Sequence, residues 1–187
     1  IVWSGLIAAS LKPVDHEWFK DEQYPIICSV GRLVPQKDHS TLLNAFAIAV
    51  QHQPSRLVLV GDGPLRSDLQ QQVSDLGIDG YVWFAGYQSN PFKFMSKSKL
   101  FVMSSLHEGL GNALIEAQAL GVPVISTDCE SGPNEVLLNG TAGRLVPVGG
   151  VLELADAIKK SLQELTTTQE MVRVASKNIS RFEVGHI

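Results

Sequence analysis

The sequence of 187 residues predicts an α/β fold, a Rossmann-like doubly wound parallel sheet of about six strands with helices on both faces. Three observations predict it. Short apolar, β-branched runs alternate with helical patterns along most of the chain. The runs are apolar throughout, as in strands that are covered on both faces. Gly, Pro or Asp bounds each run, which is typical of strands that end in short loops.

Six runs have the length and composition of such strands. They are Ile26–Val30, Arg56–Val60, Val82–Ala85, Leu100–Met103, Val122–Ser126 and Arg144–Val146. In an open α/β sheet, ligands bind at the carboxyl ends of the strands. A ligand is therefore expected at the loops that follow the first five strands. These loops are Gly31–His39, Gly61–Pro64, Gly86–Pro91, Ser104–Asn112 and Thr127–Asn134, here called loops one to five.

Seven stretches carry helical patterns. They are Thr41–Val50, Leu65–Leu76, Asn112–Leu120 and Val151–Leu165, the shorter Asn90–Ser98 and Gly132–Leu138, and the weakly patterned tail Thr168–Phe182. Asp38 or Ser40 is placed to cap the first of them. Residues 1–25 show no clear period, and we interpret them as a linker segment. Residues 26–187 then form one domain, as expected for a chain of this length.

Composition excludes several classes of protein. Fifteen Lys and Arg against nineteen Asp and Glu give a net charge of −4, which argues against a nucleic-acid partner. No apolar stretch approaches the roughly 18 residues of a membrane span. Cys28 and Cys129 stand alone, which favours buried thiols in a reducing compartment over a metal or redox site.

Loop one carries two cations. Gly31 permits a turn at the end of the first strand, and Arg32 and Lys37 follow at the mouth of the sheet. A forked guanidinium and a compact ammonium suit an anionic oxygen cluster such as a diphosphate. The alternative is a pair of solvated surface cations.

Loop four combines glycines with acids. Gly109 and Gly111 stand at the start of a helix, where open N–H groups and the helix dipole favour an anion. Glu108 precedes that helix and Glu116 lies in its second turn, and either carboxylate suits a pair of hydroxyls. The alternative is a helix start with favourable early acids. His107 is open to either a ligand contact or a structural role.

The sequence lacks the motifs of several other nucleotide-binding, hydrolase and metal sites. The stretch Gly61-Asp62-Gly63 has no third glycine, which disfavours a nicotinamide-dependent oxidoreductase. There is no phosphate-binding G-x-x-x-x-G-K-[ST], no G-x-S-x-G and no pair of aspartates two apart for a metal. Two interpretations of loop five remain. It could close over a binding site, or it could simply connect a strand to a helix whose N-cap is Ser131 or Asn134.

The loops in this order resemble a known family. The matching stretches are Val30–Leu33 with Lys37, Leu59–Pro64, Phe84–Tyr87, Ser104–Ala117 and Gly121–Ile125. Together they resemble the C-terminal, donor-binding domain of family 4 glycosyltransferases, which have the GT-B fold. The resemblance covers about residues 13–182.

The resemblance implies transfer of a hexosyl or acetamidohexosyl group from a nucleotide-diphospho-sugar, with retention of configuration and without a metal or other cofactor. The similarity of Ser131–Glu135 to a subgroup that builds cell-surface and lipid-linked glycans points to a UDP-sugar. Arg32 and Lys37 would hold the diphosphate, Glu108 the donor sugar and Glu116 the ribose, with the base near Gly86 and Tyr87. The donor-binding set implied is Gly31, Gly61, Gly86, Tyr87, Gly109, Leu110, Gly111, Asn112, Ala113 and Glu116.

The same resemblance implies a second domain. In the GT-B fold a glycan or lipid-linked acceptor binds through an N-terminal domain, and a last helix crosses back to it, here from about Ile187. We therefore expect this chain alone to bind nucleotide with little or no turnover. The whole enzyme is expected in the cytoplasm, peripherally at the inner face of the membrane. A non-catalytic nucleotide-sugar-binding module is the alternative.

Overall fold

A computed structural model, which describes residues 3–182, contains one sheet of six parallel strands. They are β1 (Ile26–Val30), β2 (Arg56–Val60), β3 (Val82–Gly86), β4 (Leu100–Met103), β5 (Val124–Thr127) and β6 (Arg144–Val146). Their order across the sheet is β3-β2-β1-β4-β5-β6. This order, with helices on both faces, confirms the predicted fold class.

In the described part of the chain, eight helices accompany the sheet. They are α1 (Trp3–Ser10), α2 (His39–His52), α3 (Arg66–Asp75), α4 (Phe92–Met95), α5 (Asn112–Ala119), α6 (Pro133–Val136), α7 (Val151–Gln163) and α8 (Leu165–Asn178). Short 3₁₀ turns occupy Glu17–Phe19, Pro35–Lys37, Asp79–Tyr81 and Ile179–Phe182. Within residues 3–182, no helix combines the length and apolar character that crossing a bilayer requires.

The sheet separates two apolar cores, which explains why its strands are apolar throughout. On β2, Leu57 and Leu59 join the core that contains Phe46 of α2. The intervening Val58 joins the opposite core with Leu114 of α5. Alternate side chains of a strand therefore enter two buried layers, and most of these positions are apolar. The buried exceptions on the described strands are Ser29, Ser126 and Thr127.

The fifth strand begins two residues later than predicted. The N–H of Val122 donates to the carbonyl of Ala117 at 3.0 Å and so closes the end of α5. Pro123 has no N–H to donate to a ladder. Apolar composition alone does not distinguish these two residues from the strand that follows, which runs from Val124 to Thr127.

Several helix ends also differ from the predictions. The chain leaves helical geometry at Glu164, with ψ of 66°, so the predicted Val151–Leu165 helix ends at Gln163. The tail helix then begins at Leu165 rather than at residue 168. The short helices contract to Phe92–Met95 and Pro133–Val136. The predicted crossing near Ile187 lies outside the described residues.

The linker segment has more regular structure than its sequence indicates. Helix α1 is apolar on most sides, so it lacks the amphipathic period by which a helix is recognised. Its C-terminal end is held by side chains from beyond β3. Asn90 donates to the carbonyl of Ala9 at 2.9 Å, and Lys97 donates to those of Ser10 and Lys12 at 3.1 and 2.8 Å. The division at residue 25 stays a prediction.

The strand order reverses between β1 and β4, which places loops one and four side by side. Loop two, after β2, also approaches loop one closely. Gly61, at φ of +144°, donates its N–H to the carbonyl of Gly86 at 2.8 Å. A Cβ atom on Gly61 would lie 1.9 Å from the carbonyl oxygen of Gly31. Only a glycine at position 61 fits this approach of the two strand ends.

We predict that Gly61→Ala lowers the free energy of unfolding by about 3 kcal/mol or more, through backbone strain and the main-chain clash. Urea denaturation of the two proteins measures the loss. Gly80→Ala is the matched control, because a Cβ there has no neighbour within 4 Å. Equal stability of the two variants would contradict the close approach.

Candidate functional site

Loop one folds Lys37 back over the end of β1. The N–H of Gly31 donates to the carbonyl of Val60 at 3.0 Å. After the 3₁₀ turn, Asp38 adopts a left-handed conformation, with φ of 43°, and caps α2 through the N–H of Thr41 at 3.2 Å. The aliphatic stem of Lys37 lies on Gly31, 3.5–3.6 Å from where a Cβ would stand. These are ordinary van der Waals distances, so a small side chain at position 31 would also fit beneath the lysine stem.

The ammonium of Lys37 forms an ion pair with Oε1 of Glu108. Ser105 Oγ donates to the same oxygen at 2.6 Å. The side chains of Lys37 and Glu108 are 25% and 10% exposed. The pair is therefore shielded from most water. Loss of either charge would leave the other poorly solvated, which is more costly than the same loss in an exposed ion pair.

Three further hydrogen bonds join loops one and four. Gln36 Nε2 donates to the carbonyl of His107 at 3.0 Å, and the N–H of Leu106 donates to the carbonyl of Gln36 at 2.8 Å. Ser104 Oγ donates to the carbonyl of Lys37 at 2.9 Å. The side chain of His107 is exposed, and its carbonyl makes the contact, so the structure favours a main-chain role.

A cavity of about 360 Å³ opens beside the ion pair. It is lined by Lys37, Met103, Glu108, Gly109, Leu110, Gly111, Asn112 and Ala113. Gly111, at φ of 76°, precedes α5, and no side chain caps this helix. Its first N–H groups therefore remain open to an acceptor, at the positive end of the helix dipole.

A second cavity, of about 460 Å³, lies over the ends of β1 and β2. It is lined by Val30, Gly31, Arg32, Val60, Gly61, Asp62, Tyr87, Gln88 and Pro91. Arg32 is exposed and has no ion pair among residues 3–182. Tyr87 is 78% exposed, which leaves its ring accessible for stacking. Asp62 is paired with Arg66, whose Nη1 lies 3.3 Å from its Oδ2.

These two cavities bring together most of the sequence-predicted residues. Gly86 and Glu116 line neither of them. Gly86 supports the 460 Å³ cavity indirectly, because its carbonyl accepts a hydrogen bond from the N–H of the lining residue Gly61. Glu116 is half-buried in the second turn of α5, and desolvation raises the pKa of its carboxyl group. A carboxylate that is poorly hydrated at rest gains from hydrogen-bond donors brought by a ligand.

Loop five packs against loop four and lines neither cavity. A Cβ on Gly132 would lie 1.9 Å from the carbonyl oxygen of Gly109. Gly132 is also the N-cap of α6, without a side-chain cap, so neither Ser131 nor Asn134 has the predicted capping role. Asn134 instead donates to Asp128 Oδ1 at 3.2 Å. Loop five supports the shape of loop four.

Both cysteines are free and buried, as predicted. Burial raises the pKa of the Cys28 thiol to about 12. Within the described part of the chain, no three His, Cys, Asp or Glu residues are grouped to hold a metal ion. Independence from a metal stays a prediction.

A larger cavity, of about 690 Å³, lies at the opposite edge of the sheet. Its lining residues include Trp18, Asp21, Tyr24, Lys97 and Lys99. Ile26, the first residue of β1, also lines it, so this cavity opens at the amino ends of the strands. It has no glycine loop, and no helix starts among its lining residues. The cavities of about 360 and 460 Å³ together contain Lys37, Arg32 and the open start of α5, which are groups that suit an anionic ligand.

Sequence reasoning missed Ser105 and Gln36. Ser105 is fully buried and lies two residues after the end of β4, at the carboxyl edge of the sheet. A polar residue in that position was the available signal. Gln36 offers no such signal, because its partner is a main-chain carbonyl of a distant loop.

A family model described as glycosyl transferases group 1 matches residues 14–178. An uncharacterized glycosyltransferase of Methanocaldococcus jannaschii is 41% identical over 132 residues, which cover 68% of this chain and 32% of that protein. The lipopolysaccharide core biosynthesis glycosyltransferase LpsE of Rhizobium meliloti is 40% identical over 136 residues, which cover 73% of this chain and 39% of LpsE. The chain thus spans less than two fifths of either relative.

The fold is also found in solved structures. HepE from Anabaena in complex with UDP-glucose superposes with a TM-score of 0.80 at 26% sequence identity. The superposition covers 88% of this chain and 46% of HepE. Nearly all of the present chain therefore corresponds to about one half of that protein.

Proposed function

Since the chain belongs to the group 1 glycosyl transferases, we propose that it is the donor-binding domain of a retaining GT-B glycosyltransferase of family 4. The proposed donor is a nucleotide-diphospho-sugar. The observation that carries the proposal is the Lys37–Glu108 ion pair, which lies at the carboxyl edge of the sheet beside the open start of α5. We assign the ammonium to phosphate and the carboxylate to sugar hydroxyls, and the two groups are in direct contact.

The diphosphate is proposed to bind between Arg32 and Lys37, with the main-chain N–H groups of residues 110–113. Arg32 has no competing ion pair among the described residues, and Lys37 has donors to spare beyond the one that meets Glu108. Open N–H groups at a helix start add donors without a charge that must be desolvated. Together these groups would stabilise the charge of the leaving nucleotide.

The nucleoside is proposed to occupy the cavity of about 460 Å³. The exposed ring of Tyr87 offers a stacking surface for the base, and Gly61 and Gly31 let the ligand approach the main chain. Glu116 is proposed to accept from the ribose hydroxyls. Its raised pKa, caused by desolvation, is consistent with a carboxylate whose donors arrive with the ligand.

The sugar is proposed to occupy the cavity of about 360 Å³, against Glu108. In the proposed reaction the bond from the anomeric carbon to the diphosphate oxygen breaks, and the acceptor hydroxyl forms its bond on the same face. The acceptor's proton leaves with the departing phosphate, and the two cations hold the negative charge. A cation pair that performs this task makes a metal unnecessary, so we propose none.

A UDP-hexose or UDP-acetamidohexose is the proposed donor. The UDP-glucose bound by HepE supports the nucleotide. LpsE, a lipopolysaccharide core biosynthesis glycosyltransferase, supports a cell-surface or lipid-linked glycan as the acceptor. The acceptor is proposed to bind through a further domain, with the whole enzyme in the cytoplasm at the inner face of the membrane. The present chain alone is proposed to bind donor with little turnover.

We predict that Arg32→Ala and Lys37→Ala each weaken UDP binding by about 1–3 kcal/mol, because each removes a charge-assisted hydrogen bond to phosphate. Isothermal titration calorimetry of the chain with UDP measures the loss. Arg173→Ala is the matched control, because it removes an exposed cation on α8 that lines neither cavity. Unchanged affinity in the first two variants would remove these residues from the site, and absence of UDP binding by the native chain would refute the proposed function.

A separate prediction concerns Glu116. Glu116→Ala is expected to weaken binding of UDP about tenfold and to leave binding of inorganic pyrophosphate within about twofold, because only UDP has a ribose. Competition titrations of the two ligands against the native protein and the variant measure the ratio. Equal losses for UDP and pyrophosphate would contradict the ribose role.

A further inference from the structure

The proposed function assigns no role to Ser105, although its hydroxyl donates a hydrogen bond to Glu108. We propose that Ser105 is a positioning residue, which holds the Glu108 carboxylate in the orientation that receives the donor sugar. The inference rests on the proposed function, because it assumes that Glu108 contacts the sugar. Its physical basis is the contact of 2.6 Å between Ser105 Oγ and Glu108 Oε1.

Ser105 is itself fixed from the neighbouring strand. Its side chain and main chain are fully buried, and its carbonyl accepts a hydrogen bond of 2.6 Å from Thr127 Oγ1. Thr127 is equally buried, as the last residue of β5. The main chain of Ser105 is therefore held both by the end of β4, which it follows, and by Thr127 at the end of β5. Its hydroxyl has little freedom to move with loop four.

Lys37 cannot position Glu108 by itself. Its long side chain crosses from loop one and is 25% exposed, and its ammonium is also the proposed partner of the diphosphate. When phosphate binds, the ammonium is shared between two anions. The Ser105 hydroxyl is neutral and has no role toward phosphate, so it keeps its hold on Oε1 in both states.

One oxygen of the Glu108 carboxylate remains free to accept hydrogen bonds from the ligand. Oε1 takes the donors from Lys37 and Ser105, while no residue of the described chain donates to Oε2. Glu108 lines the cavity of about 360 Å³. Without Ser105 the carboxylate can rotate about its terminal torsion, which is broad in energy. Binding of the sugar then includes the cost of fixing that rotation.

The test compares UDP with UDP-glucose as probes, by calorimetric titration of the chain and its variants. Ser105→Ala is expected to weaken UDP-glucose about tenfold and UDP by less than about twofold. A merely structural role would reduce both affinities together. Ser98→Ala is the matched control, because it removes another buried hydroxyl, which donates to the carbonyl of Phe94 at 2.7 Å at the opposite edge of the sheet.

A double-mutant cycle tests whether Ser105 acts through Glu108. In a Glu108→Ala background, Ser105→Ala is expected to cause no further loss for UDP-glucose. If Ser105→Ala fails to fold, Thr127→Val serves instead, because it removes the anchor and keeps the hydroxyl of Ser105. It is expected to lower affinity for UDP-glucose more than affinity for UDP.

The outcomes separate the two proposals. Equal losses for both probes, or a loss from Ser105→Ala that persists in the Glu108→Ala background, would overturn the positioning role and leave the proposed function standing. Failure of the native chain to bind UDP would overturn both.

Discussion

The contact between Lys37 and Glu108 is the interaction on which the rest of the site depends. Its two residues lie 71 positions apart. They meet because the strand order reverses between β1 and β4, which sets loops one and four next to each other. The lysine stem packs on Gly31, and the hydrogen bonds of Gln36 and Ser104 hold the two loops together.

Close main-chain contacts support the two loops that carry the pair. A shielded ion pair loses water on both sides, so its geometry must be good if it is not to destabilise the fold. Close approaches of main chain at Gly61 and Gly132 give loops one and four a rigid support from loops two and five. The stability of the sheet edge and the shape of the proposed donor site are thus two consequences of the same packing.

Sequence alone predicted the sheet well, because unbroken apolar runs such as Leu57–Val60 have few alternatives to a strand covered on both faces. It failed where apolar character has other uses, as in Val122, whose N–H ends a helix, and in α1, which lacks an amphipathic period. At the site, the cations and glycines were visible in the sequence. The partnership of Lys37 with Glu108 and the burial of Ser105 were not, since both arise from strand order and not from spacing along the chain.

A crystal structure of this chain with UDP-glucose would test the central claim most directly. We expect the diphosphate to lie within hydrogen-bond distance of Lys37 Nζ and the Arg32 guanidinium. We also expect the Lys37–Glu108 contact to be retained and a hexose hydroxyl to hydrogen-bond to the Glu108 carboxylate. A nucleotide seated at the opposite edge, in the cavity beside Trp18 and Tyr24, would contradict it. So would a diphosphate bound at the carboxyl edge without contact to Lys37.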